Sequence, residues 1–70
     1  MTKTDVLQNL LDTAVAREAL QLSTLNNGLQ SAVDDPRPAF ADAASKAADA
    51  LIQTRTRIAG LQALIAEVAP

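Results

Sequence analysis

The sequence predicts an all-α fold, an antiparallel hairpin of two long helices, on the strength of two observations. Apolar residues recur in steps of four and three along each half of the chain, without interruption of the alternation in the second half, which is the pattern of a heptad seam. Residues 34–38 carry two prolines and two aspartates, and a helix cannot run smoothly through them. The halves are therefore expected to fold back on each other about a tight turn.

The first helix is predicted over about residues 3–33. Thr2 is followed three residues later by Asp5, a spacing that resembles a capping box at a helix start. Asn27-Gly28 is a common stop signal, but the apolar pattern stays in phase across it. We therefore expect a continuous helix, with a break or kink at Gly28 as the alternative. The predicted seam of this helix is Leu7, Leu11, Val15, Glu18, Leu22, Leu25, Leu29 and Ala32.

The turn is predicted over residues 34–37 and the second helix over about residues 38–68. Pro36 or Pro38 suits the first helical turn, where a missing N–H costs nothing, and Asp35 is the predicted cap. Gly60 is either a tolerated glycine or part of a small-residue patch that another helix approaches closely. The predicted seam of this helix is Phe40, Ala44, Ala47, Leu51, Thr54, Ile58, Leu61, Ile65 and Val68.

Two positions of the predicted seams are polar: Glu18 in the first helix and Thr54 in the second. Folding at the turn places residues whose numbers add to about 72 opposite each other, so Glu18, Thr54 and the neighbouring Arg55 form one polar layer. We expect Glu18 to reach the edge of the interface and pair with an arginine of the facing helix. A functional alternative is that this layer fixes the register or the oligomeric state.

Apolar side chains outside the seams predict a second contact surface. A chain of 70 residues is marginally stable alone, and without cysteine no disulfide or thiolate metal site can stabilise it. Association with another chain is the remaining way to stabilise so small a protein, so we expect a helical bundle completed by a second copy or by another protein. The candidate interface residues are Val6, Leu10, Leu20, Ile52 and Leu64.

The composition argues against several classes of function. The net charge is −2 with scattered Lys and Arg, and Phe40 is the sole aromatic residue, so no nucleic-acid partner is expected. No apolar run approaches the roughly 20 residues of a membrane span, so no membrane partner is expected either. Without histidine, cysteine, a Gly-rich phosphate loop or metal-ligand spacing, we expect no enzyme, metal or other cofactor.

We therefore expect a small non-enzymatic protein–protein interaction or assembly protein that oligomerises or docks on a larger complex. The alternative is a small partner-binding regulator of the antitoxin, immunity, phage-inhibitor or secretion co-chaperone type. The first residues lack the apolar stretch of a signal peptide, so a cytoplasmic location is expected, or a virion-associated one if the gene belongs to a phage. The high alanine content favours a bacterial or phage genome.

Overall fold

The computed structural model describes residues 1–69 and contains two α-helices that pack antiparallel to each other. Helix α1 spans Lys3–Asp34 and helix α2 spans Pro38–Val68. The predicted all-α hairpin is confirmed, and α1 runs through Gly28 without a break. The hairpin is a rod of 52 × 15 × 12 Å.

Helix α1 begins with the reciprocal hydrogen bonds of a capping box. The backbone N–H of Asp5 donates to Thr2 Oγ1 at 3.1 Å, and the backbone N–H of Thr2 donates to Asp5 Oδ2 at 3.0 Å. These bonds satisfy two amide groups that have no partner inside the helix. The capping box predicted from the spacing of Thr2 and Asp5 is therefore confirmed.

The turn between the helices is held by Asp35. Its backbone N–H donates to the Ser31 carbonyl at 2.9 Å, and its carboxylate accepts from the Arg37 backbone N–H at 3.4 Å and pairs with the Arg37 guanidinium at 2.6 Å. The prediction that Asp35 caps α2 is wrong, because the residue before α2 is Arg37, whose side chain makes no capping bond. Pro38 begins α2 and has no N–H to satisfy, which reduces the need for a side-chain cap.

Helix α2 faces α1 through the predicted seam. Leu51, Thr54 and Leu61 are buried, as is Ala44. Val68 is the exception: it is 42% exposed, because it is the last residue of α2 and lies at the open end of the hairpin. The half-buried members of the seam are Phe40, Ala47, Ile58 and Ile65.

The seam predicted for α1 is wrong at three positions. Val15, Leu22 and Leu29 are between 40% and 49% exposed. The residues that face α2 in their place are the preceding ones, Ala14, Gln21 and Gly28. These residues are smaller or polar, and they let the backbones come close: a Cβ built on Gly28 would lie 3.6 Å from the Cα of Ala44. The other members of the predicted seam, Leu7, Leu11, Glu18, Leu25 and Ala32, are half-buried.

Within residues 1–69, neither helix combines the length and the apolar content needed to cross a membrane.

Candidate interaction surfaces

The seam divides the surface of the hairpin into two flanks. On each helix, the residue directly after a seam residue lies on one side of the seam. The residue directly before a seam residue lies on the other side. Arg17 and Arg57, which both precede a seam residue, line the same depression. Arg55, which follows Thr54, pairs with Glu18 at the other side of the seam. Antiparallel packing thus brings matching sides of the two helices together.

The apolar flank is the side that contains Arg55. Its exposed large side chains include Val33 at 76% and Ile52 at 61% of their full exposure. Alanines and polar residues share the other positions on this side of the seam, so the flank is apolar mainly in the half of the rod next to the turn. Its apolar members are Val15, Leu22, Leu29, Val33 and Ile52, with Ala19, Ala41, Ala48, Ala59 and Ala66. Its polar members are Gln8, Asp12, Asn26, Ser45, Arg55 and Gln62.

The arginine flank lies on the opposite side and is defined by Arg17 and Arg57. Two adjoining depressions of about 70 and 320 Å³ lie along it, and both arginines line both of them. The other lining residues are Leu10, Thr13, Ala14, Gln21, Ala50, Gln53 and Thr54. None of these lining residues is acidic, so the flank is locally positive although the chain has a net charge of −2.

The predicted polar layer consists of two separate contacts. Glu18 Oε2 lies 3.6 Å from Arg55 Nε, so Glu18 has the arginine partner that was expected on the facing helix. Thr54 is 6% exposed, and its hydroxyl hydrogen-bonds to Gln21 Oε1 and to the Ala50 carbonyl, the latter at 3.1 Å. Gln21 was missed by the sequence analysis, although it lies seven residues from both Ala14 and Gly28 in the same row.

The five candidate interface residues are all exposed, but they lie on two different flanks. Ile52 belongs to the apolar flank. The other four belong to the arginine flank and are between 41% and 72% exposed: Val6, Leu10, Leu20 and Leu64. Val15, Leu22 and Leu29 were not predicted to be surface residues, although their spacing of seven places them in one row along α1.

Within residues 1–69, no group of three or more His, Cys, Asp or Glu side chains is placed to hold a metal ion. Comparison of the chain with protein-family models, with curated proteins and with solved structures finds no match.

Proposed function

We propose that this chain is a structural, non-enzymatic protein that self-associates through its apolar flank, so that two hairpins form an antiparallel four-helix bundle. The observation that carries the proposal is the exposed row of Val15, Leu22 and Leu29, each between 40% and 49% exposed. On α1, the seam contains the smaller or polar residues Ala14, Gln21 and Gly28 and leaves this more apolar row outside. In a four-helix bundle each helix faces two neighbours, so both rows of α1 would be covered.

The surface area of the hairpin leaves an excess that matches an interface of ordinary size. Its accessible surface is 5026 Å², whereas a compact monomer of its mass would expose about 4,200 Å². The excess of roughly 800 Å² is close to the area that each partner contributes to a standard protein–protein interface. A second hairpin laid along the apolar flank would double the thickness of a rod only 12 Å thick.

Charge favours the apolar flank over the arginine flank as the self-association surface. A two-fold interface joins the same surface of both copies. Association through the arginine flank would bring four arginines together, Arg17 and Arg57 from each copy, with no acidic residue among those that line the depressions. Association through the apolar flank brings together alkyl side chains and the Arg55–Glu18 pair, whose charges already offset each other.

Light scattering after size exclusion, over a hundredfold range of concentration, tests this proposal. We expect twice the chain mass of 7.3 kDa for the wild type. The variant Leu22→Gln with Ile52→Gln should dissociate, because each change places an amide in an apolar contact. The matched control, Leu20→Gln with Leu64→Gln on the arginine flank, should retain the dimer.

Two outcomes would overturn the proposal. One is a wild type that stays monomeric and fully helical at every concentration. The other is dissociation of the arginine-flank control while the apolar-flank variant remains dimeric. A monomer that is poorly helical alone would instead favour the regulator reading, in which a different protein supplies the missing core.

A further inference from the structure

We propose that Arg17 and Arg57 form a binding site for a phosphate group on the arginine flank. The two side chains come from different helices and line the same two depressions. The site lies on the side of the hairpin away from the apolar flank, so it stays accessible whether or not two hairpins associate.

The arginines of this site differ from the other two arginines of the chain. Arg37 pairs with Asp35 and Arg55 pairs with Glu18. Among residues 1–69, neither Arg17 nor Arg57 has an ion-pair partner, and no acidic residue lies three or four positions from either of them on its own helix. Two like charges beside one depression repel each other, and a bound anion would remove that repulsion.

The threonine hydroxyl groups beside the arginines donate to other protein oxygens, so the donors left for an anion come mainly from the two guanidinium groups. The Thr13 hydroxyl donates to the Asn9 carbonyl, and Thr54 is bonded to Gln21 Oε1 and to the Ala50 carbonyl. Gln21 lines the larger depression, and its side-chain oxygen is engaged by Thr54. Both guanidinium groups supply N–H donors, and their planar fork matches the oxygens of phosphate.

Charge selects phosphate over a carboxylate. Two guanidinium groups carry two positive charges, and a phosphate group carries about −1.5 to −2 at pH 7. A single carboxylate would leave one charge uncompensated. The ligand could be inorganic phosphate or the terminal phosphate of a larger molecule, since both present the same oxygens.

Arginine side-chain NMR can test the site with an internal control. The chain has four arginines, so the Nε–H region of a ¹⁵N spectrum is expected to show one resolved signal for each. In a titration with inorganic phosphate at constant ionic strength, the signals of Arg17 and Arg57 should shift and saturate. The signals of Arg37 and Arg55 should move little, because each already has a carboxylate partner. Phenyl phosphate in a parallel titration distinguishes free phosphate from a phosphate monoester as the preferred ligand.

Two variants complete the test. Arg57→Gln should weaken phosphate binding about tenfold, because it removes one charge-assisted contact. Lys46→Gln removes the same charge from α2 outside the residues that line the depressions, and it should leave the affinity unchanged. Acetate at the same concentration should cause no saturable shift.

The proposal fails if all four arginine signals shift linearly without saturation, if acetate binds as well as phosphate, or if both variants weaken binding equally. Each of these outcomes would mean non-specific attraction to surface charge. None of them depends on the oligomeric state, so failure of the phosphate site and failure of the proposed self-association are separate results.

Discussion

Gly28 of α1 lies directly against Ala44 of α2, with 3.6 Å between a Cβ built on Gly28 and the Cα of Ala44. This is ordinary van der Waals contact, so the position has room for a methyl group and for little more. The glycine has no positive φ, so it adopts a backbone conformation that any residue can adopt. Gly28 therefore matters for its size and not for its flexibility.

The first prediction is that Gly28→Ala stabilises the protein. Alanine is favoured over glycine inside a helix by about 1 kcal/mol, and the added methyl group would fill its contact with Ala44. Thermal unfolding followed by circular dichroism should show a midpoint raised by about 4–8 °C per kcal/mol for a domain of this size.

Two further variants separate the effect of helix propensity from the effect of packing against Ala44. Gly60→Ala meets no atom within 4 Å, so it should show the helix-propensity gain alone. Gly28→Leu should lower the midpoint, because a large side chain would force the helices apart at a cost of about 1–3 kcal/mol. A Gly28→Leu variant as stable as the wild type would show that the helices do not pack through this row.

The second prediction separates the buried seam from the apolar flank. Leu51 is 3% exposed, and Leu51→Asp should unfold the hairpin because it buries a charge without a partner. The sequence alone predicts the same result for Leu22→Asp, but Leu22 is 40% exposed and faces away from α2. We now expect Leu22→Asp to lose its self-association while it retains more helix than Leu51→Asp. Circular dichroism and light scattering on the same samples check both readouts, and equal loss of helix in the two variants would contradict the assignment of Leu22.

The third prediction concerns the bond between Thr54 and Gln21. Thr54→Val leaves Gln21 Oε1 without its donor in a half-buried position, which should cost about 1–3 kcal/mol. Adding Gln21→Leu to that variant replaces both polar partners with apolar groups, so most of the loss should be recovered. Urea unfolding of the two single variants and the double variant measures the coupling between the residues. Additive effects would mean that the bond contributes nothing of its own.

The fourth prediction is the orientation of the proposed dimer. On the apolar flank, Leu22 of α1 lies near the level of Ile52 of α2, because the neighbouring residues Gln21 and Thr54 are in contact. A two-fold axis parallel to the helices would bring Leu22 of each copy against Ile52 of the other, and both turns would then lie at one end of the bundle.

A spin label on Ala39→Cys can measure this orientation, because the chain has no native cysteine. Ala39 is exposed near the turn. Turns at the same end would give a distance of about 20–30 Å between labels, since neighbouring helices lie about 10 Å apart. A distance close to the 52 Å length of the rod would show that the turns lie at opposite ends.

The sequence predicts α2 better than α1 for a physical reason. Along α2 the predicted seam holds most of the large apolar residues, such as Leu51, Ile58 and Leu61, and it is the seam that faces α1. Along α1 two adjacent rows compete, and hydrophobicity favours the row with Leu22 over the row with Gln21. The choice depends on close backbone approach and on the bond to Thr54, which involve both helices at once and cannot be ranked from one helix alone.

The candidate surfaces were also predictable only in part. The existence of leftover apolar residues could be predicted, since they outnumber the positions in one seam. Their assignment to flanks could not, because a shift of the α1 seam by one residue moves Val15 from the core to the surface. The pairing of Glu18 with an arginine was predictable from the level of the two residues, whereas the depression between Arg17 and Arg57 required the register of both helices.

The short turn of the hairpin also sets the order in which its contacts can close during folding. Gly28 and Ala44 are separated by only 16 residues, whereas Gln21 and Thr54 are separated by 33. Each doubling of the enclosed loop costs about 0.6 kcal/mol of chain entropy, so contacts close most readily next to the turn and then proceed outwards. Contacts between the helices would form in sequence from Asp35 towards the open end of the hairpin. Substitutions near the turn would then change mainly the folding rate, and substitutions near Leu7 and Ile65 mainly the unfolding rate.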